Sequence, residues 1–166
     1  MWGFLTWMGL AIGGMQQDST INPEFAARLN SIYRHSVPSI TVGHLKRLMI
    51  QKRVVLLDAR EEDEFRTSHL RHARHVGYIW FDMRKVYDVS KTDTIVVYCA
   101  IGNRSERIGE KLQKAGYRHV YYLFGGIYEW VNRRNPVYNS NKIQTTEVHV
   151  YEKNWSRWLE NGSPVY

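Results

Sequence analysis

Cysteine is scarce in this chain: a single one, Cys99, stands among 166 residues. One thiol cannot close an internal disulfide or build a multi-cysteine metal site, and no second thiol exists in the chain to resolve a covalent adduct. Proline is limited to four residues, and neither a low-complexity stretch nor an internal repeat occurs, which argues against disorder over the bulk of the chain. Acidic residues are outnumbered, 16 against 23 lysines and arginines, for a formal net charge of +7. No unbroken polybasic tract accompanies that charge. Even the cluster Arg66, His69, Arg71, His72, Arg74 and His75 is interrupted, so a solvated positive surface with affinity for a small anion is expected, and nucleic acid is not expected as a partner.

What is present fits one domain with appendages, large enough to bury a core without staples. Met1–Met15 carry no charged side chain; the stretch is shorter than the roughly 20 residues of a membrane-spanning helix but matches the apolar part of an export signal. Acting as a signal, with Ala11 and Gly13 at the cleavage site, residues 1–15 would place the protein outside the cytoplasm, exported or periplasmic; packed on the domain, they leave it cytoplasmic. No membrane contact is expected beyond what residues 1–15 could make. Residues 16–38 are polar and read as an arm or linker holding a short helix over 23–33, with Asn22 as cap and Pro23 at the first helical position.

From residue 39 strand and helix signals alternate. Ser39–Thr41 suggests a short strand and 42–51 a helix. Val54–Leu57 is a continuous apolar run, the pattern of a parallel strand buried on both faces, and it ends at Asp58, Ala59 and Arg60. A helical turn over 61–65, a short strand over 74–76 and a covering helix over 78–86 follow. Thr94–Tyr98 is a second apolar strand, followed by a helix with Ile108, Leu112 and Ala115 on one face and Gly116 as its stop. His119–Leu123 is a further strand, and Gly125-Gly126 turns into a helix over 127–133. The fold class is therefore α/β, a three-layer arrangement with a central, mainly parallel sheet and helices on both faces. Ligands bind such sheets outside the carboxyl ends of the strands, where Asp58 and Cys99 both fall. The domain spans 39–136. Residues 137–166, with an exposed strand over 145–151 and the aromatic turn Trp155, Trp158 and Leu159, form a C-terminal extension packed on it.

The loop Cys99-Ala100-Ile101-Gly102-Asn103-Arg104 ends where a helix begins. Amide groups at a helix start favour a thiolate and other anions. Gly102 permits the bend that turns loop amides inward around the sulfur, Arg104 adds a fixed positive charge, and Ser105 has the chemistry of an N-cap or of a hydroxyl facing the loop. Residues 99–105 thus form a nucleophile in an anion cradle.

These residues, with Leu57-Asp58-Ala59-Arg60, Glu64-Phe65, Ser68-His69-Leu70, and Leu123-Phe124-Gly125-Gly126 followed by Trp130, resemble the rhodanese family in order and spacing from about residue 39 to 136. The resemblance implies the rhodanese-like fold and a sulfurtransferase in which Cys99 takes a sulfane sulfur from thiosulfate or another persulfide donor, holds it as a persulfide and yields it to cyanide or a thiol. It implies no cofactor and no metal. It assigns Ala100–Ser105 to the cradle, gives Asp58 and Arg60 a structural role tying strand ends together, and makes His69 a packing residue. One position departs from the pattern: the residue after the cysteine is often basic in members that use thiosulfate, and here it is Ala100. The donor is expected to be small and anionic, the acceptor an external thiol, cyanide or a protein.

Two rivals remain. A non-catalytic rhodanese-like binding or regulatory module would show the same fold without sulfur transfer. A cysteine phosphatase or arsenate reductase would need five residues between cysteine and arginine, whereas four separate Cys99 from Arg104.

Overall fold

The computed structural model describes residues 22–150 and 152–166; the apolar segment 1–15 and its reading as a signal lie outside them. The first element is helix α1 (Pro23–Asn30), whose start is fixed by the Asn22 side chain accepting from the amides of Glu24 and Phe25. Pro23 sits at the first turn, where its missing N–H costs nothing. Strand β1 (Ser39–Ile40) leads to α2 (Val42–Ile50), capped by Thr41, and β2 (Val55–Asp58) to α3 (Glu62–Thr67). After β3 (Arg74–His75) and a 3-10 turn at Met83–Val86 come β4 (Thr94–Tyr98), α4 (Asn103–Lys114), β5 (His119–Leu123) and α5 (Gly126–Asn132).

The five strands form one sheet in the order β1-β5-β4-β2-β3, every pairing parallel. Its centre is β4, with Ile95, Val96, Val97 and Tyr98 all fully buried, as a continuous apolar run between two helical layers requires. The β2 and β4 registers bring Asp58 opposite Tyr98, and Ala59 N–H donates to the Tyr98 carbonyl at 2.8 Å. The two chemically loaded loops therefore start side by side at the carboxyl edge of the sheet.

The segment 22–38, polar in sequence, is not an arm in space. Phe25 and Leu29, one helical turn apart, are fully buried, and Tyr33 and Val37 join the same core. Glu106, wholly buried on α4, accepts from the amides of Arg34 and Ser36 at 2.9 and 2.8 Å and binds this segment to the domain. After β6 (Val137–Tyr138), β7 (Gln144–Thr145) and β8 (Glu147–His149), a 3-10 turn at Lys153–Trp158 precedes β9 (Ser163–Val165), which pairs with β8. Trp158 stacks on Phe25 with ring centroids 5.4 Å apart, and Asn22 donates to Glu160 at 2.9 Å. The two ends of the described chain thus pack on each other as well as on the core.

The covering helix expected over 78–86 is absent. Its apolar residues Ile79, Phe81 and Met83 recur every second position, which no helix face can gather, and Ile79 and Trp80 are largely exposed. Asp82 caps only the short 3-10 turn, accepting from the Arg84 amide.

Candidate active site

Cys99 follows the last residue of β4 and is buried, with 1% of its surface exposed. Gly102 N–H donates to its Sγ at 3.1 Å. The Ser105 hydroxyl lies 3.7 Å from the same sulfur and 2.7 Å from the Gly102 carbonyl. Gly102 has φ of +104° and serves as the N-cap of α4, the left-handed conformation that a side chain resists. Ser105 is thus not the cap. It lies inside the first turn, fully buried, with its hydroxyl turned to the loop, where it meets both the sulfur and the carbonyl that the bend exposes.

Arg104 is not a bare charge. Its guanidinium makes a two-pronged contact with Glu64, 2.6 and 2.7 Å, while a Glu64 oxygen also accepts from the Glu61 amide at the start of α3. Burial alone would make this guanidinium easier to deprotonate; the Glu64 carboxylate, together with the negative charge a Cys99 thiolate brings, outweighs that and holds it more basic than usual. Arg104 therefore stays cationic beside the sulfur and locks α3 to the loop. The sequence placed Glu64 in a motif without showing this partner, because the pair spans 40 residues.

Asp58 and Arg60 form a second fork, fully buried on both sides, at 2.7 Å between Arg60 Nη2 and Asp58 Oδ2. Arg60 Nη2 also donates to the Ser68 carbonyl. Burial would lower the Arg60 pKa, and the adjoining Asp58 carboxylate reverses this, raising it above the ordinary value. Tyr98 lies beneath, its phenol held protonated by burial and by the Asp58 charge, and accepts from the Leu70 amide. Among the described hydrogen bonds none joins the Asp58 or Arg60 side chain to residues 99–105. His69 stacks on Phe65 at 4.0 Å, and its Nδ1 lies 2.9 Å from the Phe65 carbonyl.

Two features hold the loop from behind. The amides of Ile127 and Tyr128, in the first turn of α5, donate to the carbonyls of Cys99 and Ala100 at 2.9 and 3.2 Å, so the helix-start donors that normally lack a partner are satisfied by the loop. Tyr33 then bridges the two turns: its buried hydroxyl donates to the Ile101 carbonyl and accepts from the Gly125 amide at 3.1 Å. Burial raises the Tyr33 pKa well above the ordinary value, so the proton needed for that bridge is retained. Tyr33→Phe should cost about 1–3 kcal/mol, the penalty for orphaning a buried polar group. Urea unfolding checks this, and an unchanged midpoint would show that the bridge does not hold the loop.

A cleft of about 290 Å³ opens above the loop, lined by Ala100, Ile101, Asn103, Arg104 and Tyr128 from the domain, and by Arg28, Ile32, Glu152 and Trp155 from the flanking segments. The aromatic extension thus shapes the site as well as covering the core. Arg28, Ile32, Tyr128, Glu152 and Trp155 were not legible as site residues, since nothing local to them signals a ligand. Among the described residues no cluster of metal-ligating side chains occurs.

The pattern of the rhodanese-like domain matches residues 41–133, more than half of the chain. The protein belongs to the rhodanese-like domain family. Among its relatives, the thiosulfate sulfurtransferase GlpE of Coxiella burnetii is 28% identical over 107 residues, covering 61% of this chain and 94% of that one. A tRNA uridine(34) hydroxylase of Buchnera aphidicola is 30% identical over 115 residues, 64% of this chain but 36% of the hydroxylase. The crystal structure of a rhodanese-related protein from Thermoplasma volcanium superposes with a TM-score of 0.53 at 26% identity, covering 60% of this chain and 96% of the other. One of these relatives is named a sulfurtransferase and another a hydroxylase, so what they suggest at the level of the family is a sulfur-transfer-related enzyme and nothing finer. The segments that close the cleft, α1 and the turn at Lys153–Trp158, lie outside the matched residues.

Proposed function

We propose that the protein is a sulfurtransferase that carries a sulfane sulfur on Cys99. The observation that supports this best is the seat of the sulfur, held by the Gly102 amide and the Ser105 hydroxyl with the Arg104 cation nearby and a cleft above. These groups face the sulfur with an amide, a hydroxyl and a nearby positive charge, and a thiolate is the form of cysteine that attacks. With thiosulfate as donor, the Cys99 thiolate forms a bond to the outer sulfur. The sulfur–sulfur bond of the donor breaks, and sulfite leaves with the electron pair. The terminal sulfur of the resulting persulfide bears the negative charge, which the same donors stabilise. An external nucleophile then takes that sulfur, cyanide leaving as thiocyanate or a thiolate as a persulfide, and the Cys99 thiolate is restored. No net oxidant is needed. The acceptor must be external because Cys99 is the only cysteine.

The test is intact mass after treatment with thiosulfate or polysulfide. One added sulfur atom is expected on the wild type, lost on cyanide addition and absent in Cys99→Ser. Failure of every donor to add sulfur to a folded wild type would overturn the enzyme reading in favour of a binding module.

A further inference from the structure

The cleft shows a mismatch between the expected donor and the loop below it. A small anionic donor needs cations and hydrogen-bond donors, yet Ala100 offers no charge and Arg104 has two guanidinium nitrogens committed to Glu64. Two other groups stand on the same walls. Arg28, in the last turn of α1, lies 5.7 Å over the Trp155 ring, an arrangement that favours a cation at that spot, and no described ion pair ties it to a carboxylate. Tyr128, on α5, is completely buried, lines the cleft, and has a hydroxyl without a hydrogen-bond partner.

A buried hydroxyl with no partner is costly and rare, so it asks for a ligand. Burial, with the Glu64 charge adding to it, raises the Tyr128 pKa, and the group remains a donor of a hydrogen bond at neutral pH. The Arg28 wall is itself a built feature. Phe25 stacks on Trp158, Asn22 donates to Glu160, and Arg28 rests on Trp155, so α1 and the C-terminal turn fix one another at the mouth of the cleft.

We infer that Arg28 and Tyr128 together bind the anionic end of the sulfur donor, taking the place of a charge in the loop and leaving the sulfane sulfur toward Cys99. This rests on the sulfurtransferase reading and adds to it two specificity residues for an anionic donor, one of them outside the family's matched region. Glu152 on the same lining opposes the anion, so its removal should have the reverse effect.

The experiment compares alkylation of Cys99 by iodoacetate, an anion, and by iodoacetamide, its uncharged analogue, in the full chain. In each the thiolate displaces iodide. Arg28→Met should lower the iodoacetate to iodoacetamide rate ratio by about tenfold, the worth of one charge-assisted hydrogen bond, with Tyr128→Phe lowering it by a smaller factor and Glu152→Gln raising it. The KM for thiosulfate, with cyanide as acceptor, should rise in the first two variants by similar factors and fall in the third, with kcat changing less. Tyr128→Phe should also melt no lower than the wild type, because the hydroxyl it removes has no partner in the fold; a hydroxyl with a structural role would show as lost stability. Ratios unchanged in both Arg28→Met and Tyr128→Phe, with sulfur still added to Cys99 by thiosulfate, would overturn the inference alone. Absence of any sulfur adduct on the wild type would overturn the sulfurtransferase reading and the donor assignment with it.

Discussion

Asp58→Ala should destabilise the protein by about 3–5 kcal/mol, the usual cost of removing one partner from a buried ion pair. The size follows from what is left behind. Arg60 is fully buried, its Nη1 already lacks a partner, and three of its contacts, from the backbone N, Nε and Nη2, end on the Asp58 carboxylate. With that carboxylate gone the guanidinium keeps only the Ser68 carbonyl, too little to offset its lost hydration. Asp58→Leu with Arg60→Met should regain most of the loss, because the desolvation cost disappears with both charges. Urea unfolding of the single and double variants is the measurement. A single-variant loss below about 1 kcal/mol, the range of an exposed pair, would show that water reaches the fork. The pair lies beside the end of β4, so a variant that unfolds little should still be assayed for sulfur uptake at Cys99, which a purely architectural role leaves intact.

The same pair shows how far local sequence carries. The run Val54–Leu57 closing on Asp58 and Arg60 could be read because a strand buried on both faces leaves an uninterrupted apolar signature, and charged residues mark where it reaches a surface or a site. The loop was legible for a similar reason, since a cysteine, a glycine with positive φ and a helix start lie within a few residues. Partners separated by long stretches of chain were not. Glu64 meets Arg104, Glu106 meets Arg34 and Ser36, and Phe25 meets Trp158, and in each case one residue alone is equally consistent with a solvated charge or a packed ring. The polar composition of 22–38 concealed four core residues, Phe25, Leu29, Tyr33 and Val37, because a few apolar residues spaced four apart in a polar segment are a weak signal even when all are buried. Ser105 was ambiguous in a different way. Its type suits a cap, but the bend at Gly102 had already supplied the helix start, so the hydroxyl turns inward, 2.7 Å from the Gly102 carbonyl and 3.7 Å from the sulfur.

Gly126→Ala should both destabilise the fold and disable the loop. Gly126 has φ of +57°, and a Cβ placed there would lie 2.3 Å from the Cys99 carbonyl oxygen and 2.5 Å from that of Ala100. These are backbone atoms that cannot swing aside. The left-handed conformation costs about 1–2 kcal/mol for a residue with a side chain, and overpacking adds about 1–3 kcal/mol. Relief comes only if α5 withdraws, which breaks the hydrogen bonds from Ile127 and Tyr128 to the two loop carbonyls. A loop displaced by about 1 Å loses on the order of a hundredfold in rate. Gly116→Ala separates the two causes: Gly116 also has positive φ, +90°, but its Cβ would meet nothing within 4 Å. It should therefore lose about 1–2 kcal/mol with its rate of sulfur transfer unchanged. Equal stability and equal turnover in the two variants would mean that the close approach of α5 is not what holds Cys99 in place.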